Sequence, residues 1–363
     1  MRYDVAIVGA GMAGASLAAA IAPHASVVLL EAEDQPGYHA TGRSAAFWSE
    51  TYGGPGVQPL TTASGPALHG GGFLQALGSL HIGREADRAA IDAFLAEFDG
   101  SGVVLERVDP QAMVPGLRPD WTLGVLEQSS TYIDVGALHA HYLAQARRGG
   151  VRLVVSAPLS GVARVHNGWS LETGAGTFDA TVLVNAAGAW ADAVALMAGV
   201  APIGITAYRR TMVQLATDPG APEGLPHVVG IGGDFYFKPE AGGRIWLSPH
   251  DETATDPGDV QPEEIDVATA IDRFEHVVDW RVIKVERRWA GLRSFAPDRL
   301  PVYGFAPDAP GFFWCAGQGG FGIQTAPAAA ALAASLLLGR VPDDSVSGID
   351  AERYAPGRFG VCK

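Results

Sequence analysis

A glycine-rich turn close to the start of the chain is the feature that most restricts its fold. The turn reads Gly9-Ala10-Gly11-Met12-Ala13-Gly14 and follows an apolar run at residues 4–8. Small residues continue from it as a helical pattern over Met12–Ile21, and a second apolar run, Val27–Leu30, ends at Glu31. Short continuous apolar runs are typical of buried parallel strands. The order strand, turn, helix, strand therefore predicts a βαβ unit.

The spacing of the glycines predicts a dinucleotide site at this turn. Gly9 permits the tight turn, Gly11 lets the backbone approach a pyrophosphate, and Gly14 lets helix and strand pack closely. The helix N-terminus offers free N–H groups and a positive dipole end to the pyrophosphate. Glu31 lies 20 residues after Gly11, where an acid binds ribose hydroxyls and would repel the 2′-phosphate of NADP. The pattern leaves both FAD and NAD open.

Composition indicates a globular chain with two lobes. The chain has 363 residues, of which 48% are hydrophobic and 18% charged, so it has ample apolar material for a core. Its formal net charge of −14 disfavours a nucleic-acid partner and a basic patch on an anionic membrane. No uninterrupted apolar run reaches the roughly 18 residues needed to span a bilayer, so no stable membrane insertion is expected.

The two cysteines, Cys315 and Cys362, lie far apart and form no CxxC pair. This usage predicts neither a disulfide framework nor a metal site, and a cytoplasmic location fits it. Arg2 followed by the apolar residues 5–22 is an alternative, since a signal peptide has a similar start. Asp4 and the three glycines at motif spacing favour the cytoplasmic strand-turn-helix interpretation.

The rest of the chain alternates helical and strand-like patterns. Helices are predicted over residues 86–98, 134–148 and 263–277, and a meander of strands over 151–180. Further strand-like runs are 181–185, 211–215, 234–238, 244–248 and Phe312–Ala316. The last one precedes a glycine-rich turn and an alanine-rich helix. Residues 51–72 are rich in Gly, Pro and Thr and show no clear periodicity.

Several motifs in the same order resemble the D-amino acid oxidase-like (DAO) family of FAD-dependent oxidoreductases, and within it the bacterial D-arginine dehydrogenase and related D-amino acid dehydrogenases. Besides the first turn, the motifs are GYHATGRSAA at 37–46, VNAAGAW at 184–190, FYFKP at 235–239, WAGLRSF at 289–295 and AGQGGFGIQT at 316–325. The resemblance covers nearly the whole chain.

The resemblance implies an α/β fold of two domains, with FAD as the cofactor. A Rossmann-like FAD-binding domain is expected from residues 1–52, 130–202 and 289–363. A substrate domain on a mixed or antiparallel sheet is expected from residues 53–129 and 203–288. With the glycine turn, the resemblance implies that these residues contact FAD: Gly9, Gly11, Ala13, Gly14, Glu31, Thr41, Arg43, Ser44, Ala45, Val162, Ala187, Gly188, Trp190, Gly291, Gly319, Gly320, Phe321, Gly322, Ile323 and Gln324.

An amino acid substrate needs an anchor for its carboxylate, and the planar arginine fork binds carboxylates bidentately. Arg293 stands in an otherwise apolar stretch, where an unpaired guanidinium is costly, and the resemblance makes it the carboxylate clamp. Arg210, Tyr236 and Tyr52 match further substrate-facing positions, and Arg209 is expected on the opposite strand face. Gln318 and Gly320 are expected to contribute polar atoms near the amine.

Phe47 departs from the related dehydrogenases, in which a histidine stands at this position, and it indicates a more apolar pocket. The resemblance implies oxidative deamination of a D-amino acid by hydride transfer from Cα to flavin N5. Two alternatives stay open: oxidation of a 2-hydroxy acid, glycine or an N-methyl amino acid, and a flavin-binding accessory protein without turnover. The sequence does not identify the electron acceptor.

Overall fold

The computed structural model describes residues 2–360. Its α-helices are α1 (Met12–Ile21), α2 (Gln58–Gly70), α3 (Arg88–Glu97), α4 (Pro110–Met113), α5 (Val135–Arg148), α6 (Ala191–Met197), α7 (Glu264–Glu275) and α8 (Ala326–Leu338). Its strands are β1 (Arg2–Val8), β2 (Val27–Leu30), β3 (Phe47–Trp48), β4 (Leu74–Ala76), β5 (Ser79–Arg84), β6 (Glu106–Val108), β7 (Trp121–Glu127), β8 (Thr131–Ile133), β9 (Arg152–Val154), β10 (Leu159–Val165), β11 (Gly168–Thr173), β12 (Gly176–Asn185), β13 (Thr206–Asp218), β14 (His227–Gly230), β15 (Tyr236–Glu240), β16 (Arg244–Ser248), β17 (Thr253–Ala254), β18 (Arg281–Phe295), β19 (Val302–Phe305), β20 (Phe312–Ala316) and β21 (Gln318–Gly319).

The first lobe is built on an eight-stranded sheet in the order β10-β11-β12-β1-β2-β9, with β20 beside β12 and β19 beside β20. Strand β1 runs parallel to both neighbours, and Val8 lies opposite Leu30 on β2 and Asn185 on β12. The carboxyl ends of these three strands therefore form one edge of the sheet, where ligands of open α/β sheets bind. The predicted Rossmann-like βαβ unit is confirmed.

Small side chains let the helices of this lobe lie close to the sheet. In α1, Ala15 and Ala18 are fully buried, and the helix packs against both α5 and α8. Strand β2 is buried along its whole length, as expected for a parallel strand covered on both faces. Trp169 and Trp314 fill the core on the opposite face from Leu17.

The second lobe is built on a ten-stranded mixed sheet in the order β21-β18-β13-β16-β15-β14-β5-β7-β6, with β17 beside β13. Only β14 and β5 pair in parallel, and the other neighbours pair antiparallel. Helix α7 covers one face, where Phe274 packs with Phe237 and Leu247. The predicted two-lobed α/β architecture is confirmed, including its mixed second sheet.

The predicted domain boundaries stay a prediction: one strand spans a boundary, and one helix of the predicted substrate domain packs against the first lobe. Strand β18 runs without interruption through residue 289. Helix α2 packs against α8 of the first lobe, where Ser64 Oγ accepts a hydrogen bond from Ala328 N at 3.1 Å. A third sheet joins the short strands β3, β8 and β4, of which β3 and β4 flank α2 in the chain.

Candidate active site

A cavity of about 470 Å³ runs from the carboxyl edge of the first sheet to the second sheet. Glu31 and Glu33 line one end, and Arg210 and Arg293 line the other. Its volume lies in the range of about 300–1,000 Å³ that is usual for ligand sites. One continuous cavity therefore joins the predicted dinucleotide site to the predicted carboxylate site.

Steric contacts explain two of the glycines at the first turn. Gly9 has φ +100°, and a Cβ there would lie 2.4 Å from the Ala186 carbonyl oxygen. A Cβ on Gly14 would lie 1.9 Å from the Gly9 carbonyl oxygen, so only glycine lets α1 start against β1. A Cβ on Gly11 would meet only Thr41 Oγ1, at 3.3 Å. The backbone at Gly11 is thus open toward the cavity, as close approach of a pyrophosphate requires.

The predicted ribose acid, Glu31, is buried at the carboxyl end of β2. Its Oε2 accepts a hydrogen bond from Ala10 N at 2.9 Å, and its Oε1 accepts one from Glu33 N at 3.1 Å. These bonds hold the carboxylate in the cavity wall. His139, which no motif indicated, donates from Nε2 to the Ala10 carbonyl at 2.9 Å. Burial lowers the pKa of His139, so its ring braces the turn in the neutral form.

The segment that follows Glu31 links the two lobes. Thr41 Oγ1 accepts from Met12 N at 3.0 Å, at the start of α1, and Ser44 and Ala45 line the cavity. Arg43 donates to the Ala290 carbonyl at 3.2 Å and pairs with Asp259. The Arg43 side chain therefore holds a loop of the second lobe against the cofactor segment.

The other predicted cofactor residues divide into two groups. Those that line the cavity are Ala13, Ala187, Gly188, Trp190, Gly291, Gly319, Gly320, Gly322 and Ile323. Val162, Phe321 and Gln324 are not among its lining residues. Val162 packs against the first-lobe core, Phe321 packs on Tyr52 with ring centroids 5.0 Å apart, and the Gln324 amide bonds to the backbone at Tyr52.

The two predicted substrate arginines lie on the same face of the second sheet. Arg210 on β13 pairs with Gly291 on β18, two residues before Arg293, and the period-two alternation of strands turns all three the same way. Arg209 turns to the other face and pairs with Glu263 at 2.6 Å and Asp266 at 3.0 Å. The expected opposite orientation of Arg209 is confirmed.

Arg210 and Arg293 differ in the hydrogen-bond acceptors that the protein offers to their guanidinium groups. Arg210 Nε donates to the Asp251 carbonyl at 2.9 Å and Nη2 to Glu252 at 3.2 Å, while the buried Nη1 has no partner. Burial, and then the charge of Arg293, lower the pKa of Arg210 to about 10. Within residues 2–360, the Arg293 guanidinium donates no hydrogen bond and forms no ion pair, although it lines the cavity. Two cations side by side, one without a partner, favour an anionic ligand.

Two tyrosines lie beside this pair of cations. Tyr236 is buried, lines the cavity, and donates from Oη to Met212 Sδ at 2.9 Å. Tyr52 does not line the cavity itself. A Cβ on Gly320, which does, would lie 2.3 Å from Tyr52 Oη and 3.3 Å from Arg293 Cζ. The absence of a side chain at 320 thus leaves room for both the Tyr52 hydroxyl and the Arg293 guanidinium.

Three residues of this site were not predicted from the sequence. Asp251 and Glu252 accept hydrogen bonds from Arg210, and His227 packs beside Tyr236. Asp251 and Glu252 follow a loop without a motif, and Glu252 also bonds Arg299 at 2.8 Å. His227 lies 4.3 Å from the Phe47 ring and 5.2 Å from the Tyr236 ring. Burial lowers the pKa of His227 well below its usual value. Its ring is therefore neutral where it packs beside Phe47 and Tyr236.

Gln318, the remaining predicted substrate contact, lines the cavity next to Gly319. Burial raises the pKa of Cys315 to about 12, so this residue stays a thiol; Cys362 lies outside the described residues.

Across residues 2–360, no cluster of three His, Cys, Asp or Glu side chains is suited to hold a metal ion. In the same part of the chain, no helix combines the length and apolar character needed to cross a membrane.

Comparison with known proteins agrees with this geometry. A family model described as FAD dependent oxidoreductase (DAO) matches residues 4–336. Hydrogen cyanide synthase subunit HcnC of Pseudomonas aeruginosa is 27% identical over 221 residues, which are 60% of this chain and 50% of that protein. This chain thus spans about half the length of that curated relative.

Solved structures share the fold over nearly the full length. The L-proline dehydrogenase from P. horikoshii superposes with a TM-score of 0.85 at 20% identity, covering 99% of this chain and 98% of that one. The glycine oxidase from Geobacillus kaustophilus gives a TM-score of 0.80 at 23% identity, covering 96% and 98%. At these identities the likeness establishes the two-lobed fold.

Proposed function

The chain belongs to the DAO family of FAD dependent oxidoreductases, and we propose that it oxidatively deaminates D-amino acids to 2-oxo acids and ammonia. The observation that carries this proposal is the Arg293 guanidinium, which lines the cavity beside Arg210 and has no acceptor within residues 2–360. A substrate carboxylate supplies the missing acceptor. The D configuration rests on the resemblance of the motifs at 235–239 and 289–295 to D-amino acid dehydrogenases.

The side chains of this site bind and orient the substrate. Arg293 grips the carboxylate, and Arg210, steadied by Asp251 and Glu252, adds positive charge. Tyr52 and Tyr236 offer hydroxyls next to Arg293. A fixed carboxylate leaves Cα with little freedom, and such orientation is a large part of the protein's contribution in cofactor enzymes.

The cofactor supplies the redox chemistry. Gly9, Gly11 and Glu31, which line the cavity, would help to hold FAD, and bound FAD would supply an acceptor for the hydride from Cα. The lone pair of the substrate amine forms the C=N bond as this hydride leaves, and water then hydrolyses the imino acid to the 2-oxo acid and ammonia. Around Arg293, the cavity wall formed by residues 2–360 presents no His, Asp or Glu. The amine therefore gives its proton to water, and the substrate reacts as the neutral amine.

The cavity wall favours a substrate with a neutral side chain. Met212, Tyr236 and Leu292 line the cavity next to the arginines. The carboxylates among the lining residues of the described chain are Glu31 and Glu33, at the opposite end. A cationic side chain finds no partner near Arg293, so D-alanine, D-valine or D-phenylalanine is preferred over D-arginine and D-lysine.

Anaerobic mixing of the purified flavoprotein with single substrates tests the proposal without a chosen electron acceptor. The expected result is bleaching of the flavin absorption band by neutral D-amino acids and not by their L-enantiomers. Bleaching only by glycine, sarcosine or L-proline would refute the proposal in favour of the activities that name the related structures. Bleaching only by D-lactate would indicate a hydroxy acid substrate, and no bleaching by any compound would indicate a flavin carrier.

A further inference from the structure

A buried carboxylate outside the cavity has no role in the chemistry described so far. Glu127, at the end of β7, is fully buried. Its Oε2 accepts hydrogen bonds from Ser49 Oγ at 2.7 Å and Thr51 Oγ1 at 2.6 Å, and its Oε1 accepts one from Glu50 N at 2.6 Å. Burying a charge is costly unless donors satisfy it, and here all three donors come from one short segment.

A second side chain holds the same segment from the first lobe. Gln324 Oε1 accepts from Ser49 N at 3.2 Å. Its Nε2 donates to the Tyr52 carbonyl at 2.9 Å and to Thr61 Oγ1 at 3.0 Å. Residues 49–52 are therefore fixed one after another by Glu127 and Gln324, one from each lobe.

The fixed segment ends at the tyrosine that stands beside Arg293. It lies between β3 and α2 and contains no strand or helix of its own, so its backbone position depends on these side-chain bonds. The Tyr52 ring packs on Phe321, with centroids 5.0 Å apart, and Arg293 Cζ lies 5.8 Å from the centroid of the Tyr52 ring. A Cβ on Gly320 would lie 2.3 Å from the Tyr52 hydroxyl and 3.3 Å from Arg293 Cζ, so both groups lie beside residue 320. A shift of the backbone at 52 would carry the hydroxyl away from the guanidinium.

We infer that Glu127 and Gln324 are positioning residues that hold Tyr52 so that its hydroxyl and Arg293 grip one carboxylate together. This inference rests on the proposed function, because it assumes that the site binds a carboxylate. Glu127 touches neither the cavity nor the substrate and acts through Tyr52. Both oxygens of a carboxylate can accept all three bonds, whereas an amide offers one accepting oxygen and would force the hydroxyls or Glu50 N to give up a partner.

The test is a double-mutant cycle on carboxylate binding to the FAD-loaded protein. Benzoate serves as the probe, since it offers a carboxylate but no oxidisable Cα–H, and its Kd follows from the change in flavin absorption. Glu127→Gln is expected to weaken benzoate about tenfold, the size of one hydrogen bond to a charged group. In a Tyr52→Phe background the same change is expected to weaken benzoate by less than about twofold, because the group that it positions is gone.

Two further variants complete the design. Thr51→Val removes one donor but keeps the Glu127 side chain, and we expect a loss of about threefold that also vanishes in the Tyr52→Phe background. This variant replaces Glu127→Gln in the test if Glu127→Gln lowers the FAD content. Glu286→Gln is the matched control, because Glu286 lies on the second sheet, bonds Arg244 and Gln214, and is expected to leave the benzoate Kd unchanged.

The outcomes separate this inference from the proposed function. Equal losses with Tyr52 intact and in the Tyr52→Phe background, or no loss in either, would overturn the positioning role while leaving the carboxylate site intact. Failure of the unaltered protein to bind benzoate, or an unchanged Kd in Arg293→Met, would overturn the carboxylate site and with it both proposals.

Discussion

Replacing Arg293 by methionine separates substrate binding from folding. The substitution keeps much of the length and apolar stem of the side chain but removes its charge. Because no group of residues 2–360 accepts a hydrogen bond from this guanidinium, its removal breaks no protein contact of that kind. We therefore expect a variant that folds and holds FAD normally, yet fails to orient its substrate.

The size of the effect follows from the bonds that a bidentate carboxylate would lose. A hydrogen bond to a charged group contributes about 1.5–3 kcal/mol, so two such bonds amount to about 3–6 kcal/mol. Since about 1.4 kcal/mol corresponds to a factor of ten, kcat/KM should fall about 10²- to 10⁴-fold. The free energy of unfolding should not fall, because the variant no longer desolvates an unpaired cation.

Anaerobic stopped-flow reduction of the flavin measures the first quantity, and urea unfolding at saturating FAD measures the second. Arg209→Met is the matched control from the neighbouring strand. Arg209 faces away from the cavity and pairs with Glu263 and Asp266, so its loss should lower stability and leave flavin reduction within about twofold of the starting protein. Flavin reduction by Arg293→Met within about threefold of the starting rate, or the same pattern in both variants, would refute the reasoning.

Three further predictions concern the cofactor site and pH. Gly14→Ala should weaken FAD binding at least about tenfold, because its Cβ would lie 1.9 Å from the Gly9 carbonyl oxygen; an unchanged ratio of flavin to protein absorbance would contradict this. Asp259→Asn removes the ionic partner of Arg43 and should speed FAD release about fivefold, measured as the rise of flavin fluorescence on dilution; an unchanged rate would mean that this pair does not retain the cofactor. Burial lowers the pKa of His81 to about 4, below that of the unfolded chain, so the unfolded state binds more protons and stability is lost as pH falls below about 6.5. His81→Gln should reduce the slope of the urea midpoint against pH between about 6.5 and about 5, and an equal slope would contradict the assignment.

The backbone of the first lobe follows from local sequence alone. The glycine spacing after residues 4–8 and the acid at 31 predict the βαβ unit, because the positive φ of Gly9 and the contact of Gly14 with the Gly9 carbonyl both belong to the turn itself. Apolar patterns locate α5, α7 and most strands of the first sheet in the same way, but only β13, β15 and β16 of the ten strands in the second sheet. The end of the predicted meander over 151–180 and the predicted strand 181–185 form one strand, β12. Its first half pairs with β11 and its second half with β20.

Other elements acquire their structure from distant partners. Helix α2 has a proline inside it, at Pro66, and little apolar periodicity. Its burial against α8 stabilises it, which no pattern within residues 51–72 indicates. Likewise β18 extends over Arg281–Phe295 because β13 offers it a long antiparallel partner, although its first half is charged.

At the site, residue types could be read from sequence, but their pairing could not. Arg209 and Arg210 are adjacent and chemically identical, and only the register of β13 with β18 turns one toward Glu263 and the other toward the cavity. The partners of Arg43 and Gln324 lie 216 and 272 residues away in the chain. Local spacing encodes backbone geometry because its forces act between near neighbours, whereas hydrogen bonds between side chains depend on how separate elements pack, and only the folded chain settles that.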